Sequence, residues 1–210
     1  RNSGQLCYAG TRLVVHAKVH DKLLAAIAKQ FETLVPGPTW ETTSTLAPIS
    51  SAAQIERIEE LLQKTVQEGA SIETGGKAFQ GEAGGWFFEP TILAGLTQNM
   101  TGFSEEFFGP VLGVQTFTEA GEGIELAQHP SYGLAGSVYS QDMNRALSAA
   151  RALKAGTVWI NSWGRKADMS APFGGYRQSG FGKEGGKAGI EKFMRDKAIW
   201  IDTDIDMRDV

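Results

Sequence analysis

The sequence predicts an α/β fold with a mostly parallel sheet and flanking helices. Two observations predict it. Apolar residues recur at helical spacing in several segments, and these alternate with short β-branched runs along most of the 210 residues. Gly and Pro clusters punctuate the boundaries between them. No internal repeat or low-complexity tract interrupts the pattern.

The first strand is expected over Thr11 to His16, where Leu13-Val14-Val15 supplies the β-forming run. Asp21 is the expected cap of a helix whose stripe is Leu23, Leu24, Ile27, Phe31 and Leu34. Pro36-Gly37-Pro38 stops it, and a Thr/Ser-rich loop runs to Ile49. Ser51 and Gln54 have capping-box spacing ahead of the stripe Ile55, Ile58, Leu61, Leu62 and Val66, which Gly69 ends. A short strand follows at Ser71 to Thr74, then a turn at Gly81 to Gly85. Trp86 to Leu93 reads as one extended segment, made irregular by Pro90.

Val111 to Phe117 is a clear strand. Ile124, Leu126 and Ala127 belong to a short helix that ends before Pro130. Gly136 to Ser140 is a strand, Asp142 caps a helix through Leu153, and Gly156 terminates it. Thr157 to Asn161 is a further strand. A long glycine-rich loop, a helix near Gly185 to Met194 and a last strand at Ala198 to Asp202 complete the chain. The acidic tail Thr203 to Val210 is expected to be mobile.

Composition narrows the function classes. A net charge of −4 without a basic cluster argues against a nucleic-acid partner. No apolar run is long enough to span a membrane, and no signal-peptide pattern opens these 210 residues. One cysteine permits no internal disulfide, which fits a reducing, cytoplasmic setting. The chain opens on Arg1, not methionine, so the expectation is that a preceding part of a longer enzyme is absent.

Three stretches could carry chemistry. In the first, Gly4 and Gly10 frame Cys7 at the entry to a strand. Cys7 reads either as a nucleophile or as a small hydrophobe. The second is Ser104-Glu105-Glu106-Phe107-Phe108-Gly109-Pro110-Val111. A carboxylate there can accept hydrogen bonds from ribose hydroxyls, with a ring packing on a flat cofactor, or the pair can simply be solvated. The third is the loop Ser170 to Gly182, long enough to suggest function. Gly180-Phe181-Gly182-Lys183-Glu184-Gly185 matches G-x-G-x-x-G, but without a preceding strand and a following βαβ unit it is not a phosphate site. No metal site is expected.

Taken in order, these stretches resemble the aldehyde dehydrogenase superfamily. Gly4-Gln5-Leu6-Cys7-Tyr8-Ala9-Gly10-Thr11-Arg12 is similar to its catalytic-cysteine motif. Glu105 to Val111 is similar to its cofactor-ribose motif, and Pro172-Phe173-Gly174-Gly175-Tyr176-Arg177-Gln178-Ser179-Gly180 to its C-terminal signature. Tyr132-Gly133-Leu134-Ala135 and Gly156 to Asn161 extend the likeness over nearly the whole chain.

The resemblance implies that Cys7 is the nucleophile. It implies that Glu106 holds the nicotinamide ribose of NAD or NADP, with Phe108 beside it, and that Phe173 faces the aldehyde. Trp163 falls where relatives acting on amino-aldehydes place an aromatic residue, which could attract a cationic substrate. Together with the Glu191 to Ile201 ending, it resembles oxidisers of amino-aldehydes or γ-glutamyl-aminobutyraldehyde. The implied reaction turns an aldehyde into an acid through a thiohemiacetal and a thioester.

The resemblance also implies what lies elsewhere. No Glu-Leu-Gly-Gly segment bearing the family's general base occurs in the 210 residues. Residues 1–195 are therefore expected to form the catalytic domain alone, without the NAD-binding domain. Residues 196–210 would be an oligomerisation strand and tail, in a homo-oligomeric parent. The alternative is that the isolated chain is a non-catalytic fragment or interaction module. A third possibility, a thiol hydrolase using His16 or His20 as base, has no motif behind it; both read as surface histidines.

Overall fold

In the computed structural model, residues 2–82, 84–164 and 169–203 are described. The chain order is β1 (Arg12–His16), α1 (His20–Phe31), α2 (Ala52–Gln67), β2 (Ser71–Thr74), β3 (Ala78–Gln80), β4 (Trp86–Phe88), β5 (Thr91–Ala94) and α3 (Thr101–Ser104). It continues with β6 (Val111–Phe117), α4 (Ala120–Ala127), β7 (Tyr132–Gly133), β8 (Ala135–Val138), α5 (Met143–Ala152), β9 (Thr157–Ile160), β10 (Tyr176–Arg177) and α6 (Gly186–Glu191).

The main sheet has the order β1-β6-β5-β2. β6 pairs in parallel with both β1 and β5, and β2 closes one edge antiparallel to β5. β8 and β9 form a separate parallel pair. The α/β class with a mostly parallel main sheet therefore stands.

Period-two alternation along the strands builds two apolar layers. On one face Leu93 and Val111 pack with Ile55, Ile58 and Leu62 of α2. On the other, Val15, Ile92 and Val114 pack with Leu23, Leu24, Ile27 and Phe31 of α1. Ile58, Phe88 and Leu93 are fully shielded from solvent, each side chain stabilising by about 1.5–3 kcal/mol. Phe107 joins the α2 layer, so the segment after α3 is anchored by the core.

Several expectations need correction. Residues 198–201 are not part of any sheet among the described residues, so the strand expected there has no ladder within this chain. Ile199, Trp200 and Ile201 are left largely exposed. Asp21 does not cap α1. It sits in the first turn and pairs with His20 Nδ1 at 2.7 Å. α1 ends at Phe31, leaving Leu34 beyond it. The extended run from Trp86 breaks at Glu89-Pro90 into β4 and β5, because proline cannot donate to a ladder. β3, α3, β7 and β10 are too short for a periodic signal. The tail beyond Thr203 lies outside the described residues.

Candidate active site

Cys7 lies exposed in a turn just before β1. The backbone reaches it through an unusual curl: Asn2, Ser3 and Gly4 take φ of 51°, 48° and 73°. Non-glycine residues in that region cost about 1–2 kcal/mol each. Side-chain anchors hold the curl. Ser3 Oγ donates to the Ala47 carbonyl at 2.5 Å, and Gln5 Nε2 donates to the Pro48 carbonyl at 3.0 Å. Gln5 Oε1 accepts from the Ser50 N–H at 2.9 Å. One glutamine thus fixes the thiol-bearing loop to the segment ahead of α2. The backbone N–H of Cys7 has no backbone acceptor among the described residues, so it remains available as a donor.

The Glu105–Pro110 segment packs directly against this loop. Glycine at position 4 leaves room for the Gly109 carbonyl, which a Cβ there would strike. Phe107 is buried while Phe108, at φ 49°, turns its ring outward with 37% exposed. Glu106 is exposed, and no side chain among the described residues binds its carboxylate.

α2 supplies the brace. Gln54 Nε2 donates to the carbonyls of Phe107 at 2.8 Å and Phe108 at 3.2 Å. Arg57 donates to the Glu106 carbonyl at 3.4 Å and lies 3.5 Å from the Glu105 carboxylate. Only half of the expected capping box forms. Ser51 Oγ accepts from the Gln54 N–H at 3.2 Å, but the Gln54 amide is turned to the Phe107–Phe108 backbone instead of closing the box.

Aromatic rings gather around Tyr8, the residue after Cys7. Tyr8 lies 5.4 Å from Trp163, 5.6 Å from Phe173 in edge contact and 6.1 Å from Trp159. The Trp159 and Trp163 ring centroids are 6.4 Å apart. Phe173 is 7% exposed, held by paired backbone hydrogen bonds with Glu184 at 2.8 Å. Lys183 Nζ donates to the next carbonyl, Gly174, at 2.6 Å. Of the expected residues, Trp163 and Phe173 both meet the ring of Tyr8, the residue that follows Cys7. Glu106 and Phe108 lie on the neighbouring segment, joined to the thiol loop through Gly4 and Gly109.

Sequence reasoning missed Gln5, Tyr8, Gln54 and Trp159. Tyr8 was adjacent to the candidate thiol, and Trp159 lies inside the weaker similarity at Gly156 to Asn161, so a signal existed for both. For Gln54 the spacing to Ser51 pointed to a different partner. His16 and His20 are engaged away from the thiol: His16 Nδ1 accepts from the Lys18 N–H at 3.1 Å, and His20 pairs with Asp21. Among the described residues no cluster of three or more His, Cys, Asp and Glu could hold a metal ion.

A profile described as the aldehyde dehydrogenase family matches residues 1–199. The chain is 40% identical over 204 residues to a betaine aldehyde dehydrogenase of Bacillus subtilis, covering 96% of this chain and 41% of that protein. Among solved structures, a betaine aldehyde dehydrogenase (betB) point mutant of Staphylococcus aureus in complex with NAD+ superimposes with a TM-score of 0.93. It is 36% identical, over 98% of this chain and 42% of that one. Another structure of betB from that organism with NAD+ gives 0.87 at 38% identity, covering 91% and 38%. The chain spans about two fifths of the length of the relatives it matches.

Proposed function

The chain belongs to the aldehyde dehydrogenase family, and on that premise we propose that it is the thiol-bearing catalytic part of an NAD(P)-dependent enzyme that oxidises a cationic amino-aldehyde to its acid. The observation that carries this reading is the cluster of Tyr8, Trp159, Trp163 and Phe173, built around the residue that follows Cys7. Electron-rich ring faces attract a quaternary or primary ammonium group, by about 0.5–2 kcal/mol each. The relatives named betaine aldehyde dehydrogenase support that substrate class.

In this reading the aldehyde's cationic end lies among the rings and its carbonyl carbon reaches Cys7 Sγ. The thiolate adds to that carbon, giving a tetrahedral thiohemiacetal whose oxyanion needs donors. The N–H of Cys7 supplies one. When bound, the nicotinamide cofactor supplies the hydride acceptor that leaves a thioester on Cys7. The free Glu106 carboxylate and the outward Phe108 ring fit a nicotinamide ribose, the carboxylate accepting from both hydroxyls. Hydrolysis of the thioester then releases the acid and restores the thiol. Residues 1–195 would form this catalytic unit, and the base that activates water belongs outside these 210 residues.

Two further proposals accompany it. The isolated chain is inactive, since it contains no Glu-Leu-Gly-Gly segment to supply the base. The exposed Ile199-Trp200-Ile201 run pairs with another chain in a homo-oligomeric parent, because an unpaired apolar edge recruits a strand.

The test is NADH formation by the longer protein with betaine aldehyde and with an uncharged aldehyde of similar length. Cys7-dependent turnover that favours the cation supports the reading. Equal turnover by Cys7→Ser, or a preference for the uncharged aldehyde, overturns it.

A further inference from the structure

We infer that His129 is a positioning residue for the substrate side of the site: it builds the turn on which the segment after Phe173 docks. The inference rests on the proposed role of Phe173 at the aldehyde.

The turn and the loop are joined by hydrogen bonds from both sides. His129 Nδ1 accepts the N–H groups of Ser131 at 3.0 Å and Tyr132 at 2.9 Å, closing a tight turn. That turn points three successive carbonyls at the loop. Those of His129 and Pro130 accept from the Arg177 guanidinium, and that of Ser131 accepts the Gln178 N–H at 3.0 Å. Tyr176 and Arg177 then pair antiparallel with Gly133 and Tyr132, and Ser179 Oγ accepts the Gly133 N–H at 3.1 Å. Arg177 holds φ at 55°, a conformation that its guanidinium anchors help to offset. Phe173, four residues earlier, is thereby set against Tyr8.

The ring of His129 is tied to the rest of the site. It lies parallel to Phe103 with centroids 6.1 Å apart and meets Tyr132 at 4.9 Å. The Arg12 guanidinium sits 4.1 Å from the centroid of that same Phe103 ring. Arg12 follows the thiol loop on β1, and Phe103 precedes the Glu106 segment on α3.

An imidazole can accept at Nδ1 only when that nitrogen is unprotonated. The surroundings favour that form. Burial, then the Arg12 and Arg177 charges, lower the His129 pKa to about 4, against opposing contributions from Glu105 and the Phe103 backbone.

Two variants of the longer protein separate the functions of the ring. His129→Phe keeps a ring on Phe103 but has no acceptor. His129→Asn restores an oxygen that can close the same kind of turn. Amide hydrogen exchange over 176–180 is read without ligand, together with KM for aldehyde and for NAD and the rate of Cys7 alkylation. With His129→Phe, exchange over 176–180 should rise on the order of tenfold and aldehyde KM several-fold, while NAD KM and alkylation stay put. His129→Asn should restore both. Unchanged exchange with His129→Phe, a parallel rise in both KM values, or failure of His129→Asn to rescue overturns the inference. Should His129→Phe not fold, the wild-type protein decides. Opening of 176–180, corrected for intrinsic exchange, must increase between pH 6 and pH 4 and must not do so in His129→Asn. Exchange and alkylation need no turnover, so a protein that oxidises no aldehyde sinks the functional reading while these arms still judge His129.

Discussion

Gly4 and Gly109 meet backbone to backbone, with the Gly109 carbonyl occupying the place where any side chain at position 4 would begin. The thiol-bearing loop and the proposed ribose clamp are therefore one packed unit. Gly4 also stands at φ 73°, which a Cβ disfavours. Gly4→Ala should destabilise the protein by about 1–3 kcal/mol and slow Cys7 alkylation and turnover together. Urea unfolding with iodoacetamide kinetics checks this. Wild-type stability in the variant would mean that the two segments are not in register.

Gln54 spends its amide on two carbonyls of the neighbouring segment. Gln54→Glu keeps the shape and removes the donor, leaving the partly buried Phe107 carbonyl and the exposed Phe108 carbonyl facing a carboxylate, at a cost of about 1–3 kcal/mol. NAD affinity should fall on the order of tenfold, with aldehyde KM little changed. Isothermal titration of the longer protein measures it. An unchanged Kd would remove α2 from the account of the clamp.

The aromatic cluster predicts selectivity by charge. Trp163→Ala should raise KM for a trimethylammonium aldehyde on the order of tenfold and leave an uncharged aldehyde within about twofold. Tyr8→Leu should act in the same direction, since Tyr8 contacts all three other rings. Equal losses on both substrates would make the cluster mere packing.

Acid should destabilise the fold through His129. Its folded pKa of about 4 lies below the ordinary 6.5, with burial the largest cause and the Arg12 and Arg177 charges next. Above pH 6.5 neither state takes up a proton. As pH falls from 6.5 towards 4 the unfolded chain protonates first, so stability is lost across that window and the loss levels off below it. The Tm of the wild type should decline faster over this range than that of His129→Asn. Parallel curves would show that His129 does not titrate as its surroundings require.

Contiguous chemistry was legible in the sequence, and chemistry assembled by folding was not. Cys7, Glu106 and Phe173 sit in local motifs, and the helical stripe of α2 and the β-branched run of β6 carry their own periodicity. Gln54 misled because its spacing to Ser51 is a local signal, while its partners lie more than fifty residues away. His129 carries no motif; its role emerges only when Phe103, Arg12 and Arg177 converge on it. The strand expected at Ala198 to Asp202 is the complementary case. β-propensity describes a side chain's fit to a ladder, and the described chain offers that segment no ladder.

The parallel register of β1 on β6, Arg12 opposite Gly113 through His16 opposite Phe117, also sets a timetable. The ribosome makes β1 first and β6 roughly a hundred residues later, a delay of about 5–20 s at ordinary elongation rates. Through that interval β1 has the apolar face of α1 but not the strand that sets its register, and the Gly109 carbonyl that abuts the Cys7 loop has yet to be made. The nascent protein thus carries a cysteine whose loop cannot reach its final packing until Gly109, far along the chain, has been made.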